Sequence, residues 1–226
     1  MNSTDRFIDK LNVLIPDLVP CAANKMAEYF SALMEINKNI NLTAITDPEE
    51  AAEKHFFNSI AAADYIPSRA HIIDVGTGGG FPGIPIKIIR PDIKLTVLDA
   101  TGKKVEAVRK LCDLTHIDAE AVCMRAEDAG RGKYRGQFDV VLSRAVASLP
   151  VLAELCIPLA RKGGIFIAYK SSDAEDIRSM TFLEPLCAEH AATAGGGDKK
   201  LLIFRKKETT PNIYPRPFAK IKKHPL

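Results

Sequence analysis

Residues 72–85 read IIDVGTGGGFPGIP: a short apolar run through Asp74 and Val75, then five glycines and two prolines within ten residues. Gly76, Gly78 and Gly80 alternate, so the backbone can take positive φ and lie bare against a ligand. A plain tight turn needs one glycine, not three spaced ones. Apolar strand, glycine turn and helix in succession put the turn at the carboxyl edge of a strand, where doubly wound sheets bind ligands.

The rest of the chain fits that frame. From residue 71 onward the runs HIIDV, KLTVLD, AEAVC, FDVVLS and GIFIAYK alternate with helical patterns near 84–90, 102–115 and 149–161. Nearly continuous apolar strands between helices predict a parallel sheet covered on both faces. Residues 182–192 and KLLIFRKK, separated by Gly195, Gly196 and Gly197, read as a closing hairpin. Upstream, Ile8, Leu11, Leu14 and Ile15 share one helical face, as do Met26, Phe30, Leu33 and Asn37. A third helix opens with Asp47 as N-cap, Pro48 at the first position and Glu50 placed to reach back as a capping-box carboxylate. The expected architecture is α/β and Rossmann-like. It has a helical cap over 1–68, a mostly parallel seven-stranded sheet with an antiparallel C-terminal strand over 69–207, and a basic tail over 208–226.

Composition narrows the function classes. With 46% hydrophobic and 26% charged residues, the 226-residue chain is an ordinary globular protein. No leader-like N-terminus and no membrane-length apolar stretch is present, so a cytoplasmic location without membrane contact is expected. The five cysteines are scattered with no C-x-x-C pair, so neither a metal site nor a disulfide framework is expected. A monomer is the favoured assembly. The charge is uneven: residues 199–226 hold nine Lys/Arg against one acid, about +8, while the remaining 22 basic and 27 acidic residues leave about −5. Such a segment is either a solvated tail or a contact for a polyanion.

Gly78, Gly80 and Gly83 formally satisfy G-x-G-x-x-G, so a nicotinamide-dependent oxidoreductase competes for the loop. Pro82 and Pro85 stand where a phosphate-binding helix would begin and withhold backbone donors from a pyrophosphate. Asp74 favours a cationic group instead. Both features suit S-adenosylmethionine, whose ammonium and sulfonium replace the phosphates of a dinucleotide. Asp99, closing the second strand, is placed for ribose hydroxyls in either class, and Ala126 and Glu127 for an adenine. Arg144 ends the fourth strand on the same rim, either as a functional group or as a surface ion pair.

These residues resemble the bacterial ribosomal RNA small subunit methyltransferase G family, also called glucose-inhibited division protein B. The resemblance runs through NINLTAITDPEEAAEKHFFNSI, IIDVGTGGGFPGIPIKIIRPD, VLDATGKKV, LSRAVASL, AYKS and YPRPFAKIKKHPL, in the family's order. It implies a class I S-adenosylmethionine-dependent methyltransferase that modifies the seven-position nitrogen of a guanosine in 16S ribosomal RNA, on the free RNA or the small ribosomal subunit. Carried onto this chain, the cofactor contacts fall on Gly76, Phe81, Ala126, Glu127 and Arg144, joined by Asp74, Gly78 and Asp99 from their places in the fold. The chain departs from the family at Asn58, where an aspartate is usual, and at Ser171, Lys199 and Lys200. That nitrogen carries no proton, so no general base is expected. Arg144, His55 and Lys170 are the candidates near the reacting groups. Lys170, Lys199, Lys200, Arg205, Arg216, Lys220, Lys222 and Lys223 are the expected RNA contacts, with Tyr214 and Phe218 stacking on bases. The remaining alternative is a non-catalytic RNA-binding or ribosome-assembly protein that keeps the loop.

Overall fold

The computed structural model describes residues 2–144, 147–171, 180–195 and 199–226. Ala145 and Val146 of the SRAVASL motif, and Gly196 and Gly197 of the expected turn, lie outside the described residues.

Helix α1 (Ser3–Leu14) is capped by Asn2, whose side chain accepts from the Asp5 amide while the Asp5 carboxylate accepts from the Asn2 amide. Helix α2 (Pro20–Asn37) starts on its proline. Phe7 of α1 stacks on Phe30 of α2 at 4.7 Å and meets the edge of Phe56 at 4.9 Å. Asp47 caps the third helix as expected, accepting from the Glu49 and Glu50 amides, but the Glu50 carboxylate takes Lys54 instead of reaching back. That helix is not continuous: α3 (Pro48–Ala51) passes into a π-helical segment, Ala52–Phe57, and then α4 (Asn58–Ile60). These elements share one apolar core with the sheet, running from Phe7 and Phe30 through Phe81 and Ile84 to Val97 and Val140.

Strands β1 (His71–Val75), β2 (Lys94–Asp99), β3 (Glu120–Cys123), β4 (Phe138–Arg144) and β5 (Ala160–Ser171) are parallel. Strand β7 (Lys199–Lys206) runs antiparallel between β5 and β6 (Ala188–Ala194), giving the order β3-β2-β1-β4-β5-β7-β6. The order switches at β1 and β4, which opens a crevice above their carboxyl ends. The linking helices are α5 (Gly83–Ile89), α6 (Gly102–Leu114), α7 (Ala126–Arg131) and α8 (Leu149–Cys156).

Two expected boundaries move. The helix expected over 149–161 ends at Cys156, turns once through the 3₁₀ segment Ile157–Leu159 and enters β5 at Ala160. Pro158 has no N–H to continue it. The strand expected from residue 182 starts only at Ala188, after a 3₁₀ segment, Thr181–Leu186, that contains Pro185.

The segment from residue 208 is anchored to the body. Arg135 donates to the carbonyls of Gly130, Thr210, Pro211 and Tyr214, and Arg131 Nε donates to the Pro215 carbonyl at 2.8 Å. Arg216, expected on RNA, is instead paired at 2.6 Å with Glu154, whose side chain is fully buried. Its backbone amide also donates to Glu154, at 2.8 Å. Helix α9 (Phe218–Lys223) follows, with Ile221 fully buried. Breaking this pair leaves a buried carboxylate without its cation, so Arg216→Ala should lower unfolding free energy by roughly 3–5 kcal/mol in urea titration. A mere surface contact would give less than about 1 kcal/mol.

Candidate cofactor and substrate site

The glycine loop is tied by one carboxylate oxygen. Asp74 Oδ2 accepts from Thr77 Oγ1 at 2.7 Å and from the Gly83 amide at 2.9 Å, while Oδ1 is buried without a partner. Burial pushes this carboxyl up to about 6, against the pull of those two hydrogen bonds. Asp74, expected to face the cofactor's positive charge, is fully buried and turned into the loop. A strand-end carboxylate at the sheet's switch point is aimed by its own loop, and here the loop takes it. Above it, Tyr29 of α2 donates to the Gly79 carbonyl at 2.9 Å. Gly80 has φ +95, and a Cβ there would come within 2.3 Å of Tyr29 Oη and 2.8 Å of Ile84 Cγ1. Gly78, at φ +58, has nothing within 4 Å of where a Cβ would stand, so it borders open space.

Helix α5 offers no anion cradle. Gly83 N is taken by Asp74, Ile84 N by the Gly80 carbonyl and Ile86 N by the Pro82 carbonyl, and Pro85 has none. The prolines withhold their own donors as expected, but the remaining first-turn amides are lost to a phosphate because Asp74 and backbone carbonyls take them.

Beside the loop, a cavity of about 320 Å³ opens above β1 and β2. Gly76, Asp99, Ala126, Glu127 and Arg144 line it, with Met124, Leu98 and Phe218 as apolar walls. Asp99 receives the Gly78 amide at 3.2 Å on one oxygen and the Thr101 amide at 2.9 Å on the other. Glu127 pairs with Arg125. The structure therefore gathers the expected Gly76, Asp99, Ala126, Glu127 and Arg144 on one cavity. Gly78 stands on its edge through Asp99, while Asp74 lies beneath the loop.

Phe81, expected as a cofactor contact, is covered and 5% exposed. His55 stacks on it with centroids 4.5 Å apart and planes 12° from parallel, and the Arg144 guanidinium lies 5.4 Å from its ring centre. The His55 ring is occupied on both nitrogens: Nε2 lies 2.6 Å from Thr43 Oγ1, and Arg144 Nη2 lies 3.4 Å from Nδ1. Burial and the adjacent guanidinium push His55 down to about 4, so it is neutral at pH 7 and can accept from Arg144. Arg144 also donates to the Lys54 carbonyl and to Ser59 Oγ. The π-helical segment is what brings Lys54 and His55 to it. Such bulges recur at functional sites.

A second cavity, about 410 Å³, opens on the other side of Arg144 and is lined by Phe57, Asn58, Tyr169, Lys170, Lys199 and Lys200 among others. Asn58 Nδ2 is enclosed without a partner in its wall. Lys170 donates to the Ala147 carbonyl at 2.7 Å, and the register sets it opposite Lys200, with Ser171 opposite Lys199. The expected RNA contacts therefore separate. Lys170, Lys199 and Lys200 edge this cavity, and Lys220, Lys222 and Lys223 are exposed on α9. Arg205 pairs with Ile165, six residues before Ser171 on β5 and roughly 20 Å away along the strand. Its guanidinium donates to the Gly163 carbonyl, toward the amino end of β5 and away from the crevice.

The sequence model of the rRNA small subunit methyltransferase G family matches residues 22–194. Among the most similar relatives, the ribosomal RNA small subunit methyltransferase G of Desulforamulus reducens is 42% identical over 211 residues, 84% of each chain. That of Staphylococcus saprophyticus is 39% identical over 211 residues, 88% of this chain and 87% of its own. The chain belongs to the rRNA small subunit methyltransferase G family. Solved structures share its fold at low identity. A ribosomal protein L11 methylase from Lactobacillus delbrueckii aligns with a TM-score of 0.52 at 16% identity, over 74% of this chain and 90% of that one.

For this family member, sequence reasoning missed Tyr29, Thr77 and Glu154. Tyr29 and Glu154 act on partners 50 and 62 residues away in the sequence, and Thr77, inside the glycine motif, acts on a carboxylate hidden beneath the loop. Gly80→Ala should cost roughly 3 kcal/mol in chemical denaturation, from the positive φ and the clash with Tyr29. Gly78→Ala should fold with a loss of about 1 kcal/mol yet weaken S-adenosylhomocysteine binding in calorimetry, because the added methyl enters the open space beside the loop.

The two perturbed groups act oppositely on acid stability. Unfolded His55 takes its proton near 6.5 and folded His55 near 4, so its contribution is lost as pH falls through that window. Asp74 titrates near 3.8 unfolded and about 6 folded, so its contribution grows as pH falls from 6 to 3.8. The stability of wild type relative to His55→Gln should fall by roughly 3 kcal/mol between pH 7 and 4, and relative to Asp74→Asn should move the other way, both read by urea titration.

Proposed function

We infer that this chain transfers a methyl group from S-adenosylmethionine to the seven-position nitrogen of a guanosine in 16S ribosomal RNA. One observation carries the site assignment within that family activity: Arg144 lines both cavities, so the two meet at a single half-buried guanidinium. The cavity holding Asp99 and Glu127 suits the adenosine of the cofactor. The one edged by Lys170, Lys199 and Lys200 suits a nucleotide entering from the RNA side.

When bound, S-adenosylmethionine supplies an electrophilic methyl on a sulfonium. The residues of the chain do the rest by placement. Asp99 offers carboxylate oxygens to the ribose hydroxyls, and Glu127 with the Ala126 backbone offers polar groups to the adenine edge. Phe57 and Tyr169 give the second cavity apolar surface for a base, and its lysines offer charge to the adjoining phosphates. The target nitrogen is an acceptor without a proton, so the lone pair attacks directly and no base is required. Neutral His55 fits this role. It holds Arg144, and through it the wall between the cavities, rather than removing a proton. Proximity and alignment in a walled site supply most of the acceleration.

The oxidoreductase alternative is disfavoured by α5, whose first-turn amides are committed within the protein. The non-catalytic alternative is disfavoured by the open space kept beside Gly78 and the intact acidic lining at Asp99 and Glu127.

Small subunits and naked 16S RNA from cells lacking the protein, incubated with it and labelled S-adenosylmethionine, should gain label as 7-methylguanosine at one position. Label confined to protein or small molecules overturns the reading. Arg144→Ala should lower kcat/KM about 100-fold, in line with losing a preorganised charged group. Lys170→Ala should chiefly raise KM and flatten its salt dependence.

A further inference from the structure

The residues after 208 do more than carry positive charge. Their anchoring by Arg135, Arg131 and Glu154 delivers α9 to the mouth of the first cavity, where Phe218 is the aromatic ring among the described residues of the lining. The close fit extends to the backbone: a Cβ on Gly130 of α7 would stand 3.1 Å from Pro215 Cγ. Ile221, one turn beyond Phe218, is fully buried and fixes the helix. The Phe218 ring itself is half-buried against the core on one side, and the Arg125 guanidinium sits 4.8 Å from its centre. Arg125 in turn pairs with Glu127, on the cavity wall.

We propose that Phe218 is an adenine-stacking residue, so that the C-terminal segment supplies one wall of the cofactor site rather than a base-stacking arm for RNA. This rests on the reading of the first cavity as the place of S-adenosylmethionine. A purine offers a flat π-face and polar edges. The cavity matches both, with Phe218, Met124 and Leu98 as apolar surfaces and Asp99 and Glu127 as the acidic groups. Phe218 packs on the core while lining this cavity, and the half-exposed Arg125 guanidinium over its ring is the group an adenine would displace from that face. Lys220, Lys222 and Lys223 stay exposed on the same helix, so RNA contact and cofactor contact share one element.

The test is calorimetric titration of S-adenosylhomocysteine and of 5′-methylthioadenosine, which keeps the adenosine half, into the full chain and its variants. Phe218→Leu, which keeps apolar bulk but loses the flat ring, should bind both about tenfold more weakly, the change that stacking worth 1.4 kcal/mol produces. Phe218→Tyr should bind within about twofold of wild type, with an unchanged unfolding midpoint in both variants. Phe218→Met repeats the comparison should the leucine variant fail to fold. Leucine or methionine binding like wild type overturns the proposal, as does equal weakening by leucine and tyrosine. Wild type that binds neither ligand sinks the cofactor reading along with it, whereas wild type that binds both and variants that match it sink only the stacking.

Discussion

The rim of the site hangs on Asp74 Oδ2. One oxygen receives both Thr77 and Gly83, which bracket the glycines, so the loop is closed around a carboxylate rather than around a ligand. The arrangement is costly, since burying a carboxylate with one oxygen unpaired disfavours its charge. The hydrogen bonds from Thr77 and Gly83 offset most of it, and the positive field of Arg144, whose own burial disfavours its charge in turn, adds to them. The two groups sustain each other's ionisation across the loop. The guanidinium between the two cavities is therefore coupled to the geometry of the glycines, though the two never touch through a hydrogen bond.

The second constraint is the irregular third helix. A regular α-helix from Pro48 to Ile60 would present its side chains every hundred degrees, with its carbonyls committed along the axis. The π-helical segment instead sets His55 flat on Phe81 and lets the Lys54 carbonyl accept from Arg144. Tyr169 on β5 adds a hydrogen bond to the Ser59 carbonyl, so sheet and helices close on each other at this point. The N-terminal helices are thus part of the site's framework as well as of the core.

Much of this was legible in the sequence because it is local. The strands at 71–75 and 94–99 follow from nearly continuous apolar runs, and the Asp47 cap follows from chemistry within a few residues. The cavity above β1 and β2 was legible because the ends of adjacent parallel strands converge, which brings Gly76, Asp99, Ala126 and Glu127 together. What failed was whatever depends on the third dimension. A strand-end aspartate reads alike whether it faces a ligand or its own loop, so Asp74 was misplaced. Arg216 and Arg205 read as two more charges in a basic run, yet one neutralises Glu154 beneath the surface and the other lies at the far end of an antiparallel strand. The family model ends at residue 194, before the segment that carries Phe218.

That segment also ties the cavity to the core. Ile221 of α9 lies in the same buried cluster as Phe138, Leu152 and Phe204, while Phe218, one turn earlier, lines the cavity above β2. Losing α9 would open the core and the cavity wall together, so the shape of the cavity is inherited from the stability of the fold.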